Sequence, residues 1–289
     1  NMAVTKTQQG LTRSLLLAPA ALWIIGFFIL PYLLLAYMSF KPTSSTGPYL
    51  PGFTLENYIF NLTDPFYWEI MFETVAQGVL TVVICLLLAY PVAYRLARGN
   101  SRHKGFWYTL VISPLLVGVV IRCYGWMVLL ADKGLINDGL LSLGLIDAPL
   151  PLMYNRLGTM IGMIQVYLPY MVISLTGSIQ AVNPELDYTA RSLGASRFTA
   201  FRKITLPMSL PGILSGSIMV FVLTISSYAI PILLGGNRIV TTPLLIVQNT
   251  LEAFDWPGGA SMAVIMFVVV VTLLTLYIKL MTNAMRGLK

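Results

Sequence analysis

The chain has 289 residues, of which 57% are hydrophobic and only 10% charged, with a formal net charge of +7 and a mean hydropathy of +0.79. Soluble domains carry about 25% charged residues, so this composition excludes an ordinary soluble fold and assigns the length to membrane spans. Cys85 and Cys123 both lie in apolar runs and read as small buried hydrophobes, while the single histidine, His103, sits in the basic stretch RGNSRHKG. That inventory argues against a disulfide framework, a metal site and a histidine-based catalytic constellation.

Asn1 precedes Met2, which reads as the true start, and Lys6 and Arg13 lie in an N-terminal segment, 1–14, expected to be cytoplasmic. The apolar run that follows, about 15–40, exceeds the 7–15-residue core of a cleavable signal and has no clear small-residue cleavage site, so an uncleaved anchor is expected. A helix needs roughly 20 apolar residues to cross a ~30 Å hydrocarbon core. Five further stretches meet that length: about 70–97, 106–131, 157–181, 208–235 and 260–282. None shows the period-two alternation of a strand. The expectation is an all-α, polytopic protein in which residues 15–289 form one six-span domain, with kinks tolerated at Pro31, Pro91, Pro114, Pro169 and Pro231.

Basic residues distribute unevenly between the two sides of these spans. Of 18 Lys and Arg, 13 fall at the termini or in 95–104 and 183–206, whereas the other side holds only Lys41, Lys133, Arg156 and Arg238. Nine of the 11 acids lie on that other side or at its span ends. The positive-inside rule therefore predicts both termini and the loop 183–207 in the cytoplasm. With the basic excess explained by topology, a nucleic-acid partner loses its support. Arg122 falls inside the third stretch, about 16 residues or ~24 Å from its cytoplasmic edge at 1.5 Å per residue. It reads either as an anchor near the outer interface or as a pathway residue.

The longest polar interruption between late spans reads NPELDYTARSLGASRFTAFRKITLP, from Asn183 to Pro207. Asn183 is a good N-cap, Pro184 a good first helical residue, and Glu185 suits the positive end of the helix dipole. The helix should end near Leu193, with Gly194 in the left-handed position. Ser196 can cap a second short helix, Arg197 to Leu206, with Phe198, Phe201 and Ile204 on one face, and Pro207 then opens the fifth span. As a physical object this is a helix–turn–helix on a membrane surface. It serves either as an interfacial segment with snorkelling basic residues or as a dock for a soluble partner.

The spacing Ala190, Gly194, Ile204, Leu206, Pro207 resembles the EAA loop of ABC importer permeases, EAA-x₃-G-x₉-I-x-L-P. Arg191, Ala195 and Ser196, within ARSLGAS, and the run FRKITLP extend the match. Tyr188 and Thr189 stand where the pattern has Glu and Ala, and Asp187, one residue earlier, supplies an acid. FTLENYIF, YPVAYRLAR, ISPLLVGVVIRCYGWMVLLADKGLINDGLLSLGLID and FDWPGGASMA are similar to the spermidine/putrescine branch of these permeases. The likeness thus covers nearly the whole chain.

The resemblance implies a type I ABC importer permease architecture whose loop is a coupling helix. Asp187, Tyr188, Thr189, Ala190, Arg191, Gly194, Ala195, Ser196, Ile204, Leu206 and Pro207 would dock on a cytoplasmic ABC ATPase dimer. The chain has no G-x-x-x-x-G-K-[ST] phosphate loop, so it is expected not to be an enzyme and to hold no cofactor, with ATP and Mg bound by the partner ATPase. The other implied partners are a second permease subunit, paralogous or identical, a periplasmic substrate-binding protein and the bilayer of a bacterial inner membrane. The implied cargo is a polyamine or related amine. The rival readings are an ABC permease for an opine, phosphonate or amino-acid derivative, and an ion-gradient-driven secondary transporter. The latter usually needs acids near the midplane, and none lies deep within any span.

Within the spans, Tyr124, Trp126, Gln165, Tyr167, Ser226, Ser227 and Tyr228 could line a pathway, where aromatic faces suit an amine. They could equally form interfacial belts and interhelical hydrogen bonds. Glu69 and Glu73, four apart on one helix face, with Glu252 and Asp255 give the outer side an acidic character that could attract a cation, dock a basic protein surface or simply be solvated.

Overall fold

Residues 18–44, 47–99 and 102–286 are described by a computed structural model of the chain. The expected N-terminal segment 1–14, with Lys6 and Arg13, lies outside the described residues, as does Lys289. Helix is the only regular structure among the described residues. In chain order the helices are α1 (Ala18–Ser39), α2 (Glu56–Thr63), α3 (Pro65–Arg98), α4 (Lys104–Leu116), α5 (Val119–Leu130) and α6 (Leu135–Ser142). They continue with α7 (Arg156–Ala181), α8 (Pro184–Ser192), α9 (Arg197–Met208), α10 (Leu210–Ile225), α11 (Thr242–Val247) and α12 (Trp256–Arg286).

Four of these, α1, α3, α7 and α12, are long and apolar enough to cross a membrane as single helices. Two bent pairs are together long and apolar enough for a crossing each, a count compatible with the expected six. The third stretch breaks at residues 117–118, where α4 and the helical run after it meet at 99°. A 3₁₀ turn, Ser113–Leu116, carries Pro114, and Val117 and Gly118 both take extended ψ angles, so the backbone leaves the helix there. The interruption expected at Pro114 is thus a full break of the third stretch. Arg122 lies in the first turn and a half of α5, and a depth counted along a straight helix does not apply to it.

The fifth stretch is also corrected. Its helix, α10, ends at Ile225 rather than running to 235. The Ser226 hydroxyl donates back to the Val222 carbonyl at 2.7 Å, and Ser226 and Ser227 turn their amides onto Val222 and Thr224. A separate wide turn, Pro231–Gly235, follows. In α1 the expected kink at Pro31 is absorbed by a π turn at Ile25–Ile29, which widens the helix where the proline ring would otherwise press on the preceding turn.

The chain divides into two units, residues 1–64 with 246–265, and residues 65–245 with 266–289. In the first unit no residue in the apolar stretch of α1 is buried within the chain. The chain then turns at Lys41, a residue only 5% exposed, whose ammonium sits 4.5 Å and 4.2 Å from the centres of the Tyr37 and Phe53 rings. It also donates to the Gly52 carbonyl at 3.1 Å, so the desolvated cation is compensated by two aromatic faces and one acceptor. Asn61 on α2 donates to Ser261 Oγ at 2.6 Å, and Asp255 accepts from the Gly258 amide and Thr43 Oγ1, both at 3.0 Å.

In the second unit α3, α7 and α10 pack mutually around a core of Cys85, Ala89 and Ala93 from α3, Met163, Val166, Met171, Leu175 and Ile179 from α7, and Ile213 and Val220 from α10. Lipid tails are as apolar as these side chains, so close backbone approach rather than exclusion of water must hold such helices together. Gly212 provides it on α10, where a Cβ would lie 2.4 Å from Ser178 Cβ on α7. Both cysteines are buried and unpaired, as small hydrophobes should be.

Candidate functional site

Local signals in residues 183–207 fold as read. The Asn183 side chain accepts the Glu185 amide at 3.0 Å and opens α8. Leu193 closes it, and Gly194 follows with φ +90°, a conformation that costs a side-chain-bearing L-residue roughly 1–2 kcal/mol. The amides of Gly194 and Ala195 turn back onto Arg191 and Ala190, satisfying carbonyls that the helix end leaves free. Ser196 then accepts the Thr199 amide at 3.1 Å and opens α9.

The end of α9 differs from expectation. A π turn, Phe201–Thr205, widens the helix, which runs through Pro207 to Met208 and bends 60° at Ser209 before α10 begins. Pro207 therefore lies inside α9 instead of opening the fifth span. The wide turn also separates the expected apolar face. Phe201 packs edge-on against Tyr90 and Tyr94 of α3, at 5.5 Å and 5.8 Å between ring centres, whereas Phe198 is 70% exposed.

Behind these rings lies a polar junction of three elements. Both carboxylate oxygens of Asp187 on α8 accept from Thr205 Oγ1, at 3.0 and 3.1 Å. Arg98, the last residue of α3, brings Nη2 to 3.8 Å from Asp187 Oδ2. Arg98 Nε and Nη2 are buried and hydrogen-bond to nothing among the described residues. Tyr90 Oη and Ser209 Oγ pair at 2.8 Å, tying α3 to the bend after α9. Asp187 is thus turned inward and does not occupy the outward place of the missing Glu. Tyr188, which stands at that place, is 65% exposed. An open groove of about 830 Å³ runs beside it, lined by Tyr94, Arg98, Asp187, Tyr188, Arg191 and Arg197 among others.

Arg98, Tyr90, Tyr94 and Thr205 were not among the expected site residues. A signal for the first three existed: in YPVAYRLAR they stand at i, i+4 and i+8, on one helix face. Of the expected residues, Asp187, Tyr188, Arg191, Gly194 and Ser196 fall within one continuous feature, with Thr189, Ala190 and Ala195 between them, Ile204 inside the π turn, and Leu206 and Pro207 beyond it.

The seven expected pathway residues stand in different settings. Tyr167 is 6% exposed and belongs to the buried core. Trp126 packs on the buried core, and Ser226 is spent on its own helix. Gln165 keeps a buried Oε1 without a hydrogen bond among the described residues, and Arg122 reaches the Val166 carbonyl at 3.5 Å. A second groove, about 880 Å³, takes only Tyr124 of the seven, beside Asp132, Tyr154 and Arg238. Of the expected acidic rim, Glu73 is paired with Arg156, and Asp255 is engaged by Thr43 and the start of α12. Glu69 and Glu252 are exposed. No group of three or more His, Cys, Asp or Glu able to hold a metal occurs among the described residues.

The architecture matches that of a solved bacterial ABC transporter involved in import of the acidic polysaccharide alginate, with a TM-score of 0.81 over 98% of this chain and 99% of that one. Identity is 16%, so the likeness is one of fold. The spermidine/putrescine transport system permease protein PotB of Escherichia coli K12 is 32% identical over 255 residues, which cover 88% of this chain and 92% of the relative. PotB of Haemophilus influenzae is 29% identical over 88% of this chain and 89% of its own length. Residues 20–287 match the family described as "Binding-protein-dependent transport system inner membrane component". The chain therefore belongs to this family of multi-pass inner-membrane permeases.

Proposed function

We propose that the chain is one permease subunit of an ATP-driven importer for polyamines. The single observation that carries this reading is the likeness to PotB, 32% identical along nearly the full length of both chains. The loop 183–207 faces the cytoplasm and docks on an ABC ATPase dimer, which binds the ATP and Mg. The unequal distribution of Lys and Arg supports that orientation. The exposed Tyr188, Leu193 and Phe198 support docking, since three large apolar side chains on a short polar loop are more stable covered than in water. A second, paralogous permease completes the pathway, and a periplasmic binding protein delivers the substrate.

Closure of the ATPases moves the loop, and the spans follow as packed bodies that open the pathway outward. The test is uptake by proteoliposomes holding this chain with its companion permease and ATPase, with the binding protein and labelled spermidine outside and ATP inside. ATP-dependent accumulation that a protonophore leaves intact is the expected result. Accumulation driven by an ion gradient without ATP overturns the reading in favour of a secondary transporter.

A further inference from the structure

We propose that Asp187 is a positioning residue that passes the movement of the docking loop to one or other of two spans, through Thr205 to α10 or through Arg98 to α3; this rests on the importer reading above. Three observations carry it. Asp187 sits in the first turn of α8, yet its carboxylate is directed into the protein rather than toward a partner, with both oxygens on Thr205 Oγ1. Thr205 is fully buried in the π turn of α9, so that hydroxyl is fixed by the backbone that leads through Ser209 into α10. Arg98 terminates α3, and its Nη2 stops 3.8 Å from the same carboxylate, with its Nε and Nη2 otherwise without a hydrogen-bond partner among the described residues.

The third observation makes the junction more than a brace. A charge-assisted N–H···O bond is about 2.7–2.9 Å long, so the Arg98–Asp187 pair stands roughly 1 Å outside it. A buried guanidinium without full partners is costly, and that cost falls if Asp187 approaches it. Asp187 thus has two competing anchors. Bonded to Thr205, as here, it couples α8 to the fifth span; drawn onto Arg98, it couples α8 to the second. A small shift of α8 on its ATPase selects between them, which is the kind of two-arrangement element that coupling between distant parts requires. The Tyr90–Phe201–Tyr94 packing and the Tyr90–Ser209 bond flank the junction and restrict other motions of α9 against α3.

The test uses the complete importer in proteoliposomes and reads solute taken up per ATP hydrolysed, with co-purification of the ATPase measured in parallel. Asp187→Asn keeps an acceptor for Thr205 but removes the charge that holds Arg98, and Thr205→Val keeps the shape of Thr205 but removes the hydroxyl. Each is expected to lower uptake per ATP by about fivefold or more, with Thr205→Ser restoring the ratio lost in Thr205→Val. Arg98→Ala combined with Asp187→Asn should fall less than the product of the single effects, because both remove one pair. If Asp187→Asn binds the ATPase and retains the wild-type ratio, the proposal is overturned. Should Asp187→Asn fail to assemble, Thr205→Val decides: a wild-type ratio there also overturns it, and a lowered one supports it. Failure of the wild-type chain to bind an ATPase or to accumulate solute with ATP is a different result, which removes the importer reading itself.

Discussion

Gly194 illustrates how one residue can act by conformation alone. A Cβ built there meets nothing within 4 Å, so a larger side chain has room, and the obstacle is φ +90°. Replacing Gly194 with valine is therefore expected to cost about 1–2 kcal/mol at the turn and to uncouple ATP hydrolysis from uptake. Gly194→Asn, which tolerates left-handed backbone, should retain most of the coupling. The check is binding-protein-stimulated ATPase activity beside uptake in the same vesicles; equal coupling in the valine variant and the wild type removes the turn from the mechanism. Lys41 acts by charge. Lys41→Met keeps the aliphatic stem among Tyr37, Phe53 and Tyr49 and deletes the cation, with an expected loss of about 1–3 kcal/mol in the loop that follows. Faster limited proteolysis within residues 41–55 would report it.

At the scale of elements, what could be read from sequence was whatever chain neighbours determine. Asn183, Gly194 and Ser196 signal helix ends within three residues of themselves, and all three behave as read. The π turn at Phe201–Thr205 carries no such signal, because a fully apolar or mixed helix admits a wide turn wherever packing rewards it. Phe201 between Tyr90 and Tyr94 is the reward here, and it lies more than 100 residues away along the chain. The same holds for the Asp187–Thr205 bond and for Arg98. Counting apolar residues finds the spans but not the size of their interruptions: Pro114 signals a kink but not a 99° break, and Ser226, which turns its hydroxyl back onto Val222 at the end of α10, looks ordinary in composition. Aromatic and hydroxyl side chains within spans do not single out a pathway either, since helix-to-helix hydrogen bonds need the same groups, as Ser174 of α7 and Ser215 of α10, 2.7 Å apart, demonstrate. If loop 183–207 docks on the ATPase, Arg191→Cys or Ser196→Cys should cross-link to it. The two native cysteines, both buried, contribute little background. Labelling of either position by an impermeant reagent from the periplasmic side would reverse the orientation.

For the whole molecule, the chain separates what must be specified from what must only be oily. The interlocked α3, α7 and α10 depend on glycine contacts, as at Gly212, that any added methyl group would spoil. Gly212→Val should therefore impair insertion or assembly, seen as loss of the monodisperse complex in detergent. By contrast α1 turns Trp23, Phe27, Phe28, Tyr32 and Leu33 outward, with no residue of its apolar stretch buried within the chain. A helix that packs on nothing within its own chain meets lipid tails, which hold no memory of shape, wherever no partner subunit covers it. Its sequence is accordingly free to drift among apolar residues: a library that shuffles Leu, Ile, Val and Phe along Leu22–Leu35 should yield mostly working transporters, whereas the same shuffle in α7 should yield almost none.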